Sequence, residues 1–315
     1  MKLVVLDADT VFDAHIIPDF LKEFGEVTLH GLTAPEERAE RIAKADLVLC
    51  NKTVLDEETL KKAENLKYIG LFATGYNNVD TAYAKEKGIT VCNVPGYSTD
   101  AVAQHTFALL LALLNRVGEY NQTVKDGDWI KSRTFSYFPF PLDELAGKTM
   151  GIVGYGAIGR KAAAIAKAFG MRVLIRNRST VSDETVEQVD LDTLLRESDV
   201  VSLHCPLNAD SEKMMDRAAF AKMKKGAVLI NTARGGLVEE RALKEALESG
   251  HLLGAGLDVL AAEPMTAECP LRNVKNCYIT PHIAWAGLPT RRRLMEMVAE
   301  NIRAYLNGTP QNTVM

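Results

Sequence analysis

The run Met150 to Gly159, MGIVGYGAIG, constrains this chain more than any other stretch. A short apolar segment of strand length passes without a spacer into a glycine-rich turn and then into the alanine-rich segment Ile158 to Phe169. Each glycine has its own duty in such a unit: Gly154 makes the tight turn, Gly156 lets a pyrophosphate approach the backbone, and Gly159 lets helix and strand pack closely. The first helical residues, Ala157 and Ile158, then offer N–H groups to the anion. Strand, glycine turn and helix in this order predict a parallel α/β layer with a dinucleotide site.

The rest of the chain follows the same alternation. Short β-rich runs at Leu3 to Leu6, Val27 to Leu29, Leu47 to Leu49, Tyr68 to Leu71 and Thr90 to Asn93 are separated by the amphipathic stretches Ile16 to Phe24, Glu36 to Ala43, Thr59 to Ala63 and Val79 to Glu86. A second series starts at Thr149 and carries strands near Arg172 to Ile175, Val200 to Leu203, Val228 to Ile230, Gly256 to Val259 and Tyr278 to Thr280. Two α/β units in 315 residues agree with ordinary domain sizes. Between them a helix starts after Thr99 or Asp100 and runs to about Arg116; its all-round apolar FALLLALL needs cover on both flanks, from two domains or from a second subunit. The segment Lys125 to Leu142, aromatic and proline-rich with no helical period, reads as an ordered loop.

Composition narrows the partners. A net charge of −4 builds no field for a phosphate backbone, so nucleic acid is not expected. The five cysteines, odd in number and never spaced C-x-x-C, suggest neither a disulfide framework nor a metal site. With its longest apolar stretch only eight residues, Phe107 to Leu114, the chain is expected to be cytoplasmic with no membrane segment.

The strand after the glycine turn would end in a carboxylate if it held the two ribose hydroxyls of NAD. Here it ends Arg176-Asn177-Arg178-Ser179. Two guanidinium groups and no carboxylate suit a 2′-phosphate, so NADP is the expected cofactor and NAD the lesser one; solvated surface arginines are the bland alternative. Three ionisable residues follow later strands where α/β sheets place their ligands: Arg234 in NTARGG, Glu263 in AAEP and His282 in TPH. An arginine can grip a carboxylate bidentately, a histidine exchanges protons near neutrality, and a glutamate can hold the imidazole.

These residues lie in motifs that carry a resemblance. GIVGYGAIGR, SLHCPL (Ser202 to Leu207), NTARGGLV (Asn231 to Val238), GLDVLAAEP (Gly256 to Pro264) and TPHIAW (Thr280 to Trp285), with YIGLFATGYNNVD and VCNVPGYSTDAVAQHTFALLLAL in the first unit, resemble the D-isomer-specific 2-hydroxyacid dehydrogenase family over essentially the whole chain. TGYNNVD and AVAQHT look closest to hydroxypyruvate reductases, also called glycerate dehydrogenases. The chain departs from the family's commoner pattern at Gln104, often glutamate, and at Asn177, often acidic.

The resemblance implies a flavodoxin-like substrate domain, residues 1–97 plus 285–315, and a Rossmann NAD(P)-binding domain, 98–284, both doubly wound parallel-sheet folds. It implies reduction of a small 2-keto acid such as hydroxypyruvate or glyoxylate, with Arg234, Glu263 and His282 catalytic. Thr74, Gly75, Tyr76 and Arg234 would bind substrate, and Trp285 would limit the pocket. Thr106, Cys205, Pro206, Thr232, Ala233, Arg234, Asp258 and His282 would join the glycine turn and residues 176–179 along the cofactor, with Asp258 on the nicotinamide carboxamide; Cys205 also reads as a buried hydrophobe. A homodimer is implied, with the Phe135, Phe138 and Phe140 loop bordering the partner's site. Another 2-keto acid, or a nucleotide-sensing corepressor role, is the competing reading.

Overall fold

Short apolar runs separated by turns have room to pair only with neighbours supplied by crossover, and the computed structural model, which describes residues 1–314, has them doing so in two compact units. One unit is Met1–Ser98 with the segment from Ala286 onward; the other is Thr99–Trp285. The resemblance alone had put these divisions at 97/98 and 284/285.

The first unit opens with β1 (Lys2–Val5), β2 (Glu26–Leu29), α1 (Arg38–Ile42), β3 (Leu47–Cys50), α2 (Glu57–Leu60), β4 (Tyr68–Leu71), α3 (Thr81–Glu86) and β5 (Thr90–Cys92). Its five strands form a parallel sheet in the order β2-β1-β3-β4-β5. The central strands LVLC and YIGL are buried at every residue, as a sheet covered on both faces requires. Asp56 and Asp80 start their helices by accepting the N–H of Thr59 and Tyr83. The order reverses between β1 and β3, where such sheets form a crevice. Here Asp7, 2% exposed, fills it, its carboxylate accepting the N–H groups of Asn51, Lys52 and Thr53 at 2.7–3.1 Å.

The second unit contains α4 (Thr99–Asn115), α5 (Val117–Lys125), β6 (Thr149–Val153), α6 (Ala157–Ala168), β7 (Arg172–Arg176), β8 (Glu187–Gln188), α7 (Leu191–Glu197), β9 (Val200–Leu203), α8 (Arg217–Lys222), β10 (Ala227–Asn231), α9 (Glu240–Glu248), β11 (Leu252–Leu257) and β12 (Cys277–Ile279). Its seven strands are parallel in the order β12-β11-β10-β9-β6-β7-β8, winding outward from the β6/β9 junction. All their carboxyl ends therefore lie along one edge. The last helix, α10 (Leu288–Leu306), returns to the first unit, where Tyr305 packs on Tyr68 with ring centroids 4.8 Å apart.

Helix α4 lies against the sheet of its own unit. Phe107, Leu109, Leu110, Leu113 and Leu114 are buried within their own unit, whereas Ala108 is exposed and Leu111 and Ala112 are half-buried. Within the chain, cover comes from this one flank, and β11 is shaped to give it. A Cβ on Gly254 or Gly256 would lie 2.8 Å from Leu113 or Leu109, so only glycine lets this helix sit on the strand. Thr99 and Asp100 both fall inside the helix. At Arg116 the backbone turns left-handed (φ 47°) and α5 departs at 51°. Among the described residues no single helix is long and apolar enough to cross a membrane; only the bent pair α4 and α5 together passes by length and composition. The aromatic segment is an irregular loop with one short turn, Trp129–Lys131, pinned by Trp129 Nε1 donating to the Phe135 carbonyl and Tyr120 Oη donating to that of Phe140.

Candidate active site

The glycine turn leaves β6 with Gly154 at φ +99°, where a Cβ would lie 2.7 Å from the His204 carbonyl. At Gly159 a Cβ would meet the Gly154 carbonyl oxygen at 2.1 Å. Gly156 differs: a Cβ there would meet nothing within 4 Å, so that side of the turn is open. Gly156 also caps α6 without any side chain bonding the helix N–H groups. An open backbone cradle at the start of a twelve-residue helix fits a pyrophosphate held by the N–H groups of Ala157 and Ile158.

Beyond β7 stands Asn177 in the position a carboxylate would take. Its Oδ1 accepts the Tyr155 N–H at 3.2 Å, and its Nδ2 donates to the carbonyl and hydroxyl of Ser179, both at 3.1 Å. The amide is thus a donor that an aspartate could not replace. Arg178 is exposed and Arg176 half-buried. Burial raises the Cys205 thiol pKa, and the positive charge of Arg176 at the end of β7 partly opposes that rise.

Arg234, Glu263 and His282 follow β10, β11 and β12, three adjacent strands. Asn231 builds the first turn, accepting the Ala233 N–H (3.0 Å) and donating to the Arg234 carbonyl (2.9 Å). Arg234 is half-buried, and one guanidinium N–H donates to the Ala233 carbonyl at 2.7 Å. Next to it Gly235 touches the β11 exit, for a Cβ would lie 1.9 Å from the Leu260 carbonyl carbon. The Leu260 N–H donates to Glu263 Oε1 at 3.0 Å, and Glu263 Oε2 stands 2.7 Å from His282 Nδ1. A carboxylate there places a proton on Nδ1 and leaves Nε2 to act outward.

The loop carrying His282 is held by a feature that sequence reasoning assigned elsewhere. Asp258, 1% exposed, accepts the Thr280 hydroxyl (2.6 Å), the Ile283 N–H (2.9 Å) and the Ala284 N–H (2.8 Å). Its own carbonyl accepts the His282 N–H at 2.8 Å. His282 needs that grip because its φ of +55° is a conformation a non-glycine residue holds at a cost of about 1–3 kcal/mol. His105 on α4 joins the same group, with Nε2 2.9 Å from the Thr280 hydroxyl and 3.5 Å from the Asp258 carboxylate. Neither Thr280 nor His105 was legible as part of the site, because their roles arise only from contacts between distant residues.

Thr106, expected along the cofactor, sits where α4 packs on the sheet. It is 0% exposed, its hydroxyl donating back to the Val102 carbonyl and meeting the Thr232 hydroxyl at 3.0 Å. α4 packs too closely on the sheet to leave it a free surface, so Thr106 supports Thr232. His204 is the other histidine of the sheet edge; burial lowers its pKa to about 4, so it is neutral at pH 7, bonded to the Ser202 hydroxyl at 2.8 Å. In the first unit Thr74 is exposed, with its hydroxyl on the Val94 carbonyl (2.8 Å) and its carbonyl taking the Asn93 side chain (2.7 Å), while Tyr76 is 45% exposed. Trp285 is half-buried. Among the described residues no group of three His, Cys, Asp or Glu side chains could hold a metal ion.

The profile of the D-isomer specific 2-hydroxyacid dehydrogenase NAD binding domain matches residues 107–284. The chain belongs to this family. A hydroxypyruvate reductase of Blautia hydrogenotrophica is 42% identical, the match covering 100% of this chain and 99% of the relative. A glycerate dehydrogenase of Methylorubrum extorquens is 40% identical over 99% and 98%. Among solved structures, an acyclic imino acid reductase in complex with NADPH and D-Arg superposes with a TM-score of 0.89 at 34% identity, covering 100% of both chains. This D-2-hydroxyacid dehydrogenase is therefore an oxidoreductase with a nicotinamide-nucleotide-binding Rossmann domain and a second, flavodoxin-like parallel-sheet domain.

Proposed function

We propose that the enzyme reduces a small 2-keto acid, hydroxypyruvate or glyoxylate, to the D-2-hydroxy acid, using NADPH in preference to NADH. The observation that carries the reading is the 2.7 Å contact between His282 Nδ1 and Glu263 on the sheet edge that also bears Arg234 and the glycine turn. The names of the hydroxypyruvate reductase and glycerate dehydrogenase relatives support the substrate class, and the NADPH in the imino acid reductase structure is consistent with the cofactor.

The chain's own residues divide the work. Gly154, Gly156, Ala157, Ile158 and Gly159 would receive the pyrophosphate, and Arg176, Asn177, Arg178 and Ser179 the 2′-phosphate. Cys205, Pro206, Thr232, Ala233 and Asp258 would border the nicotinamide half. NADPH, when bound, supplies the hydride that adds to the keto carbon. Glu263 holds the imidazole by Nδ1–H and so aims Nε2 outward; Nε2–H would give its proton to the oxygen as the C=O bond becomes C–OH. Arg234 would grip the substrate carboxylate and polarise the carbonyl, with backbone N–H groups of Thr74-Gly75-Tyr76 sharing the carboxylate and Trp285 limiting chain length. Residues 1–97 with 285–315 would thus be the substrate domain and 98–284 the nucleotide domain.

A cytoplasmic homodimer completes the reading. Its support is the unusual exposure of apolar side chains around α5 and the aromatic loop: Val117 67%, Ile130 88%, Phe135 90%, Phe138 81% and Leu142 53%. The test of function is a panel of hydroxypyruvate, glyoxylate, pyruvate and longer keto acids with NADPH or NADH, followed by loss of absorbance. Fastest turnover of hydroxypyruvate or glyoxylate with NADPH is expected. Faster turnover with NADH defeats the cofactor assignment, and no turnover with any of them favours a nucleotide sensor.

A further inference from the structure

A cofactor's 2′ position is judged by charge at the carboxyl end of β7, and the first carboxylate after that strand is Asp183. Every oxygen of that carboxylate is engaged. Oδ1 accepts the N–H and hydroxyl of Thr185 at 3.0 and 2.6 Å, and Oδ2 accepts the Tyr155 phenol at 2.7 Å. Tyr155 is the residue between the first two glycines of the turn, and it is 4% exposed. Arg160 closes the group from α6, with its guanidinium 4.5 Å from the Tyr155 ring centroid and 3.9 Å from Asp183. These hydrogen bonds hold the Asp183 carboxyl down to about 2, and burial with the Asp183 bond pushes the Tyr155 phenol up to about 12. The pair is accordingly O–H donor and carboxylate acceptor throughout the neutral range.

The backbone of the same tyrosine is bonded to Asn177, so one residue links the glycine turn to both ends of the segment 177–183. The glycine turn itself needs no such side chain: its geometry follows from Gly154 and Gly159. The Tyr155 ring packs in the core of its unit, and its hydroxyl reaches beyond that packing to a surface-loop carboxylate.

We propose that Tyr155 is a specificity-determining residue: it tethers the Asp183 carboxylate beside Arg160 and so keeps the loop's first negative charge off the site where the 2′-phosphate is received. The proposal rests on the NADPH reading above and adds the device that protects it. Freed of the phenol, the Asp183 side chain could turn toward the anion and repel it, and that repulsion would weaken in salt.

The test measures dissociation constants of 2′,5′-ADP and 5′-ADP by calorimetry for the full-length enzyme, Tyr155→Phe, and Tyr155→Phe combined with Asp183→Asn. The wild type is expected to favour 2′,5′-ADP. Tyr155→Phe should lower that preference at least about fivefold at low ionic strength, and the double variant should restore it to within about twofold, since the repelling charge is gone. A merely structural tyrosine would not be rescued by removing its partner's charge. An unchanged preference in Tyr155→Phe, or a loss that Asp183→Asn leaves in place, overturns the tether. A wild type that does not favour 2′,5′-ADP overturns the NADPH reading itself, which the variants alone would not.

Discussion

Replacing Asp258 by asparagine tests whether this carboxylate builds the loop that carries His282. Two donors converge on Oδ1, the Thr280 hydroxyl and the Ile283 N–H, and one on Oδ2, the Ala284 N–H. An amide can satisfy only one side. Its oxygen would keep the pair at Oδ1, and its NH2 would face the Ala284 N–H, donor against donor. Hydrogen bonds to a buried charge are worth about 1.5–3 kcal/mol each, and neutral ones about half as much. Losing one and weakening two gives a destabilisation of roughly 3 kcal/mol or more. In a domain of this size that corresponds to a fall in Tm of roughly 6–12 °C. The same loss leaves the left-handed backbone of His282 weakly supported, so kcat should fall at least tenfold. Scanning calorimetry and steady-state kinetics on Asp258→Asn read both. A melting temperature within a degree of the wild type together with an unchanged kcat would refute the reasoning.

Two further outcomes follow from the same geometry. Arg178→Ala should raise the KM for NADPH about tenfold and leave that for NADH nearly unchanged, as removal of a charge-assisted phosphate contact requires; equal effects on the two cofactors would remove Arg178 from the phosphate site. His204 titrates at about 4 when folded against its ordinary 6.5, because burial disfavours the imidazolium. Its contribution is whole above pH 6.5 and is lost as pH falls toward 4, up to about 3 kcal/mol. Denaturant titrations of His204→Gln should therefore show a shallower decline across that window; an unaltered slope would place the acid sensitivity elsewhere.

What could be read from sequence was whatever a single residue's own stereochemistry dictates. Gly154 and Gly159 had to be glycine, and their spacing after an apolar run located β6, the turn and α6. Buried parallel strands such as LVLC announce themselves by unbroken apolar composition. Helix α5 did not, because it begins only where Arg116 bends the chain, and the two-residue β8 carries no period at all. The site divides in the same way. Arg234, Glu263 and His282 lay in motifs, whereas the work of Asp258, Thr280 and His105 depends on which residues meet after folding. Thr106 shows the same limit: its sequence neighbours gave no sign that its hydroxyl would meet that of Thr232.

The most direct measurement compares single-turnover reduction of hydroxypyruvate by the wild type and His282→Ala, alongside fluorescence titration of NADPH binding. If Nε2 of the imidazole held by Glu263 delivers the proton, turnover falls roughly 10²- to 10⁴-fold while the cofactor's Kd stays within about twofold. Undiminished turnover in the variant would contradict the account.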